Sequence, residues 1–142
     1  TISSADTSSE TGDNFGFGVT IAEDGSSFAV GAFNHDDGGD RQGAVYVYSI
    51  DSSSGAVSLE GRIRAAARNT TDEFGRYLSM NEDGSVLAVG VRSDDDGGSA
   101  AGAVLVYTAA GGDWNNFFSG AAVDNNGPLS IESDGINLGI KE

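Results

Sequence analysis

The sequence predicts an all-β protein made of repeated sheets, each of about four antiparallel strands, and three observations predict it. A motif near the start recurs 59 residues later and holds its register through most of a unit. Between the motif positions, β-branched, aromatic and small apolar residues run in short segments divided by Gly, Asp and Ser turns. Composition agrees, with 22 glycines but one proline in 142 residues. The apolar share of 38% is enough for a core, so the turn-rich composition does not mean disorder.

The repeat orders everything else. Asp13-Asn14-Phe15-Gly16 returns as Asp72-Glu73-Phe74-Gly75, and Glu23-Asp24-Gly25-Ser26 as Glu82-Asp83-Gly84-Ser85. Ala29-Val30-Gly31 matches Ala88-Val89-Gly90, Gly43-Ala44-Val45 matches Gly102-Ala103-Val104, and Val47-Tyr48 matches Val106-Tyr107. A third copy begins at Glu132-Ser133-Asp134-Gly135, followed by Ile136, Leu138 and Ile140. The chain thus divides into a solvated segment 1–12, repeat one at 13–71, repeat two at 72–123 and a partial third at 124–142.

Each unit reads as strands. Segments 17–22 and 27–32 flank Glu23-Asp24-Gly25, a tight hairpin signal. Segment 44–50 carries bulky residues on both faces and is expected to be sandwiched. Segment 57–64 supplies a fourth strand. In unit two the counterparts are 76–81, 86–91 and 103–108, with 113–118 expected as the fourth. Ala65-Ala66-Ala67 is too short to count as a helix. Four strands recurring every 50–60 residues or so are the signature of a β-propeller blade.

Phe-Gly, a hydrophobic strand, Val-Gly-Ala and then Gly-Ala-Val-Tyr-Val-Tyr together resemble the FG-GAP repeat of integrin α-chain propellers and related cell-surface proteins. Here the motif stands as Phe15-Gly16 with Val30-Gly31-Ala32, and as Phe74-Gly75 with Val89-Gly90-Val91. The proline that follows Gly-Ala in the family is replaced by Phe33 and Arg92. Independently of the resemblance, Phe15 and Phe74 read as aromatics that anchor one sheet on the next, and Gly31 and Gly90 as strand ends where the backbone turns or approaches a neighbouring sheet closely. The resemblance implies an extracellular or cell-surface setting. Two full units and part of a third cannot close a ring, since four blades need roughly 220 residues. The chain is therefore expected to be a segment of a larger propeller or an oligomer, covered by other protein chains or by the rest of a longer parent.

Charge and composition exclude other classes. Twenty-two acids against seven Lys and Arg give a net charge of −15, which opposes binding to nucleic acid or anionic lipid. No run of about 18 apolar residues is present, so no membrane-inserted helix is expected. Cysteine is absent, which removes disulfides, thiolate metal sites and thiol catalysis. The one histidine, His35, is replaced by Asp94 in unit two, and a surface loop position is expected for it. The acids fall in turns, where no catalytic role is required of them, and the chain is expected not to be an enzyme. Gly16-Phe17-Gly18 lacks the helix that a dinucleotide fingerprint needs.

Calcium is the one cofactor the sequence raises. The resemblance implies an Asp-rich calcium loop between the first two strands, but that place holds only Glu23-Asp24-Gly25-Ser26 and Glu82-Asp83-Gly84-Ser85. A second acidic cluster follows the second strand, as Asp36, Asp37 and Asp40 and as Asp94, Asp95 and Asp96. It reads either as a solvated turn, because Asp bonds nearby backbone N–H groups, or as a Ca²⁺ site. Asn69-Thr70-Thr71 is a glycosylation sequon. Trp114, Phe117 and Phe118 read as a fourth-strand anchor or an exposed patch. The function expected is a non-enzymatic extracellular interaction or structural module. The alternatives are an accessory domain of a secreted hydrolase and a lectin-like carbohydrate binder.

Overall fold

The computed structural model describes residues 1–2, 12–36, 41–64, 72–94, 99, 101–119 and 129–132. They form two four-stranded antiparallel sheets. The first takes β1 (Phe15–Ile21), β2 (Ser27–Ala32), β3 (Ala44–Ile50) and β4 (Val57–Ile63) in that spatial order. The second takes β5 (Tyr77–Met80), β6 (Val86–Val91), β7 (Ala103–Thr108) and β8 (Leu129–Glu132), again in sequence order. Each sheet is a meander, and the two are the copies the 59-residue repeat anticipates.

The expected hairpins form where the Glu-Asp-Gly turns stand. Gly25 and Gly84 take φ of +72° and +69°, a left-handed conformation that glycine adopts without cost from a β-carbon. The carboxylates of Asp24 and Asp83 accept from the N–H of Ser26 and Ser85 at 2.8 and 3.0 Å, closing both turns in the same way. The turns also meet, since the Asp24 N–H donates to the Glu82 carbonyl at 3.0 Å.

The main core lies between the sheets. Ala29, Val45, Val47 and Ile63 project from the first sheet onto Leu87, Val89, Val91 and Tyr107 of the second. A smaller cluster of Val30, Ala32, Ala44, Tyr46 and Tyr48 covers the opposite face of the first sheet, called here its outer face. β3 thus contributes to both clusters, which accounts for its bulky residues on alternate sides.

Segment 113–118 is not the fourth strand of unit two. It begins a short helix, α1 (Trp114–Ser119), and β8 completes the sheet from within the stretch assigned to a partial third repeat. The helix has a local cause. The Asp113 carboxylate accepts from the Asn116 N–H at 2.9 Å, an N-cap bond, and Trp114, Phe117 and Phe118 recur at helical spacing. All three rings turn inward. Trp114 is fully buried, its indole N–H donates to the Gly84 carbonyl at 2.8 Å, and Phe118 packs over Gly61 of β4.

Candidate functional site

The surface that carries the repeat chemistry is the face where one sheet receives the next. Its centre is a notch of two glycines. Gly18 and Gly31 are cross-strand partners in β1 and β2, and the backbone of Gly75 and Arg76 lies across them. A β-carbon on Gly18 would fall 2.9 Å from each of the Gly75 and Arg76 carbonyl oxygens, and one on Gly31 would collide with the Gly75 carbonyl. Beside the notch, Phe74 is wholly buried against the Gly43 backbone, joined there by one parallel bridge. The Met80 N–H donates to Thr20 Oγ1 at 3.0 Å, so polar atoms of the two inner strands are paired across the seam.

A cation closes one end of the seam. The Arg76 guanidinium lies 5.0 Å from the ring centroids of both Phe17 and Phe33, while its Nη1 donates to Glu73 at 2.8 Å. Arg92 donates to the same carboxylate at 3.1 Å. Arg76 occupies in unit two the place of Phe17 in unit one, so a repeated position changes from aromatic to cation where the two units touch.

On the outer face of the first sheet the same positions meet no second sheet among the described residues, and Ile2 packs against them. Val19 and Ile21 are 61 and 59% exposed there, and Val57 and Leu59 are also exposed. Ile2 from the start of the chain, with Phe15, Gly16, Val19, Phe28 and Val30, lines an open groove on this face. The corresponding residues of the second sheet are Phe74, Gly75, Leu78, Leu87 and Val89. Of these, Phe74, Leu87 and Val89 are fully buried and Leu78 packs against them. A β-carbon on Gly16 would meet nothing within 4 Å, whereas one on Gly75 would press on Ala44 and Val45.

His35 departs from expectation. It is buried rather than a surface loop residue, its Nδ1 2.7 Å from Asp13 Oδ2 and its Nε2 2.9 Å from Arg62 Nη1. A guanidinium only donates, so Nε2 accepts and Nδ1–H is the donor to Asp13. The chain of three ties the lead-in to β1, the exit of β2 and β4 together at one end of the sheet. Unit two has the buried Asp72 in the place of Asp13 but Asp94 in place of the imidazole.

Of the calcium candidates, Asp36 and Asp94 are described and stand at the mouths of equivalent loops. The bases of these loops are pinched by matching bonds, Gly43 N–H to the His35 carbonyl at 3.1 Å and Gly102 N–H to the Asp94 carbonyl at 3.0 Å. Asp37, Asp40, Asp95 and Asp96, and the sequon residue Asn69, lie outside the described residues. Among the described residues no three His, Cys, Asp or Glu side chains gather as metal ligands. The structure brings Phe74, Gly75 and Gly31 together at the seam. It places Phe15 and Gly16 on the outer face, and Gly90 on the far face of the second sheet. Sequence reading missed Arg76, Phe33 and Gly18. The replacement of Phe17 by Arg76 at one repeat position was the signal available for the first.

Sheets of four strands, repeated along the chain and stacked face to face through Phe-Gly and glycine contacts, define a β-propeller-like repeat protein, here an incomplete one. The family model of the FG-GAP repeat matches residues 4–48 and 54–107, and the chain belongs to that family. No curated protein matches it. FG-GAP repeats occur in extracellular proteins. Among the described residues no helix is long and apolar enough to cross a membrane.

Proposed function

We propose that the chain is a non-enzymatic interaction and structural module, acting outside the cell or at its surface as one part of a larger assembly. One observation carries the reading: on the outer face of the first sheet Val19 and Ile21 stand exposed and Phe15 and Phe28 half-buried, at the positions where Leu78, Met80, Phe74 and Leu87 of the second sheet pack into the main core. Apolar area of this kind is stabilised by a covering surface, at about 25 cal/mol per Å² removed from water. The Asp13–His35–Arg62 chain is internally bonded and spans the sheet, which fits a brace rather than a reacting centre. The acidic charge adds solubility to a frame whose partners are other protein chains.

The mass of the protein isolated from its native source, by size exclusion with light scattering, tests this. A particle larger than the 14.4 kDa chain is expected. A lone 14.4 kDa species would overturn the reading.

A further inference from the structure

The two outward faces of the pair are not equivalent, although the repeat would make them so. In the first sheet the cross-strand pair Gly18–Gly31 forms the notch that seats the Gly75–Arg76 backbone. Fifty-nine residues on, the same pair is Tyr77–Gly90. The Tyr77 side chain lies over Gly90, its Cβ 3.2 Å from the point where a β-carbon on that glycine would stand. An aromatic laid across a cross-strand glycine covers exposed backbone and steadies the strand pair. It also fills the space through which a neighbouring backbone would have to approach. Tyr77 is 59% exposed and packs on its own sheet from the side facing away from the first.

We propose that Tyr77 is a stop residue. It bars the second sheet from receiving another repeat sheet in the geometry used inside the chain, and so prevents head-to-tail stacking of identical chains. The open groove beside Phe15, Gly16 and Val19 then docks a repeat sheet that has glycine at both notch positions, as the first sheet does and the second does not. The intrachain seam is the template, with Gly16 taking the part of Gly75 and Phe15 that of Phe74. Heterologous contacts of this kind propagate without limit unless the ring closes, so a stop on one face has a clear physical use. The inference rests on the proposed role as an interaction module and adds which face docks and what the partner sheet must carry.

The test replaces the stop. Tyr77→Gly supplies a second sheet with an open notch on the chain itself, so copies can stack head to tail. Light scattering of purified Tyr77→Gly is expected to show a concentration-dependent mass about twofold or more above wild type. The added substitution Val19→Asp, on the exposed docking face, is expected to return it to the wild-type mass. Tyr77→Ala serves as the second variant should glycine unfold β5, with circular dichroism confirming the sheets. A Tyr77→Gly or Tyr77→Ala protein that is folded and keeps the wild-type mass overturns the inference. So does a wild-type chain that already self-associates and loses this with Val19→Asp, because Tyr77 would then be no bar. A lone 14.4 kDa native particle would instead remove the interaction reading itself, whatever Tyr77 does.

Discussion

The Gly31 Cα faces the Gly75 carbonyl so closely that no β-carbon fits between them. That contact sets how near the two sheets stand, because Gly31 lies in the middle of the first sheet, paired to both β1 and β3. Gly31→Ala must therefore push the sheets apart, at a cost of about 3 kcal/mol. The counterpart Gly90→Ala meets Tyr77 alone, its Cβ at 3.2 Å and its carbonyl oxygen at 3.6 Å, and should cost about 1 kcal/mol. Urea unfolding of the two variants gives the comparison, and equal losses would contradict it.

Trp114 joins the second sheet to the first through α1, and it is the only tryptophan in the chain. Trp114→Ala should destabilise by about 3–5 kcal/mol. Trp114→Phe keeps much of the ring packing but leaves the Gly84 carbonyl without its indole donor, at about 1–2 kcal/mol. In wild type, denaturant should shift the indole emission to the red in a single transition that coincides with loss of sheet signal by circular dichroism.

The cation held between Phe17 and Phe33 is expected to couple the two repeats energetically. A double-mutant cycle of Arg76→Met with Phe17→Leu should return a coupling of about 0.5–1 kcal/mol. Little of it should vanish at high salt, because the ring faces rather than Glu73 supply it. Zero coupling would make the stacking incidental.

Asp51 caps the β3–β4 turn, accepting from the Ser53 hydroxyl and from the N–H groups of Ser53 and Ser54 at 2.6, 2.9 and 2.8 Å. These bonds, the Ser53 hydroxyl first, lower its pKa from 3.8 to about 2. A carboxylate depressed in the folded state favours folding above its unfolded pKa. That contribution is lost as pH falls through the folded value, so the window lies between about 4 and 2. Carbon-detected NMR titration should place Asp51 near the bottom of that window, and Ser53→Ala should move it upward.

Most of this architecture is legible in the 59-residue register of the sequence. Six of the eight strands and both Glu-Asp-Gly hairpins follow from it, because each is built by local turn chemistry and β-forming residues. The fourth strand of the second sheet did not, since unit two breaks the repeat after Tyr107. Trp114, Phe117 and Phe118 there could have been read as a helix face behind an Asp113 cap. His35 was misjudged for a different reason. Its burial depends on Asp13 and Arg62, which the sheet brings together from 22 and 27 residues away. The docking face was half legible. Phe15-Gly16 was visible as a motif, but the notch of Gly18 and Gly31, and its closure by Tyr77, required the cross-strand pairing.

The most direct test of the account uses the absence of cysteine. Val19→Cys and its repeat counterpart Leu78→Cys each introduce one thiol, and their labelling rates report how well each position is covered. In the purified chain the Val19 site should react freely and the Leu78 site slowly. In the assembly formed in the native source, the Val19 site should become as protected as the Leu78 site. A Val19 thiol that stays fully reactive in that assembly would contradict the claim that this face is a docking surface.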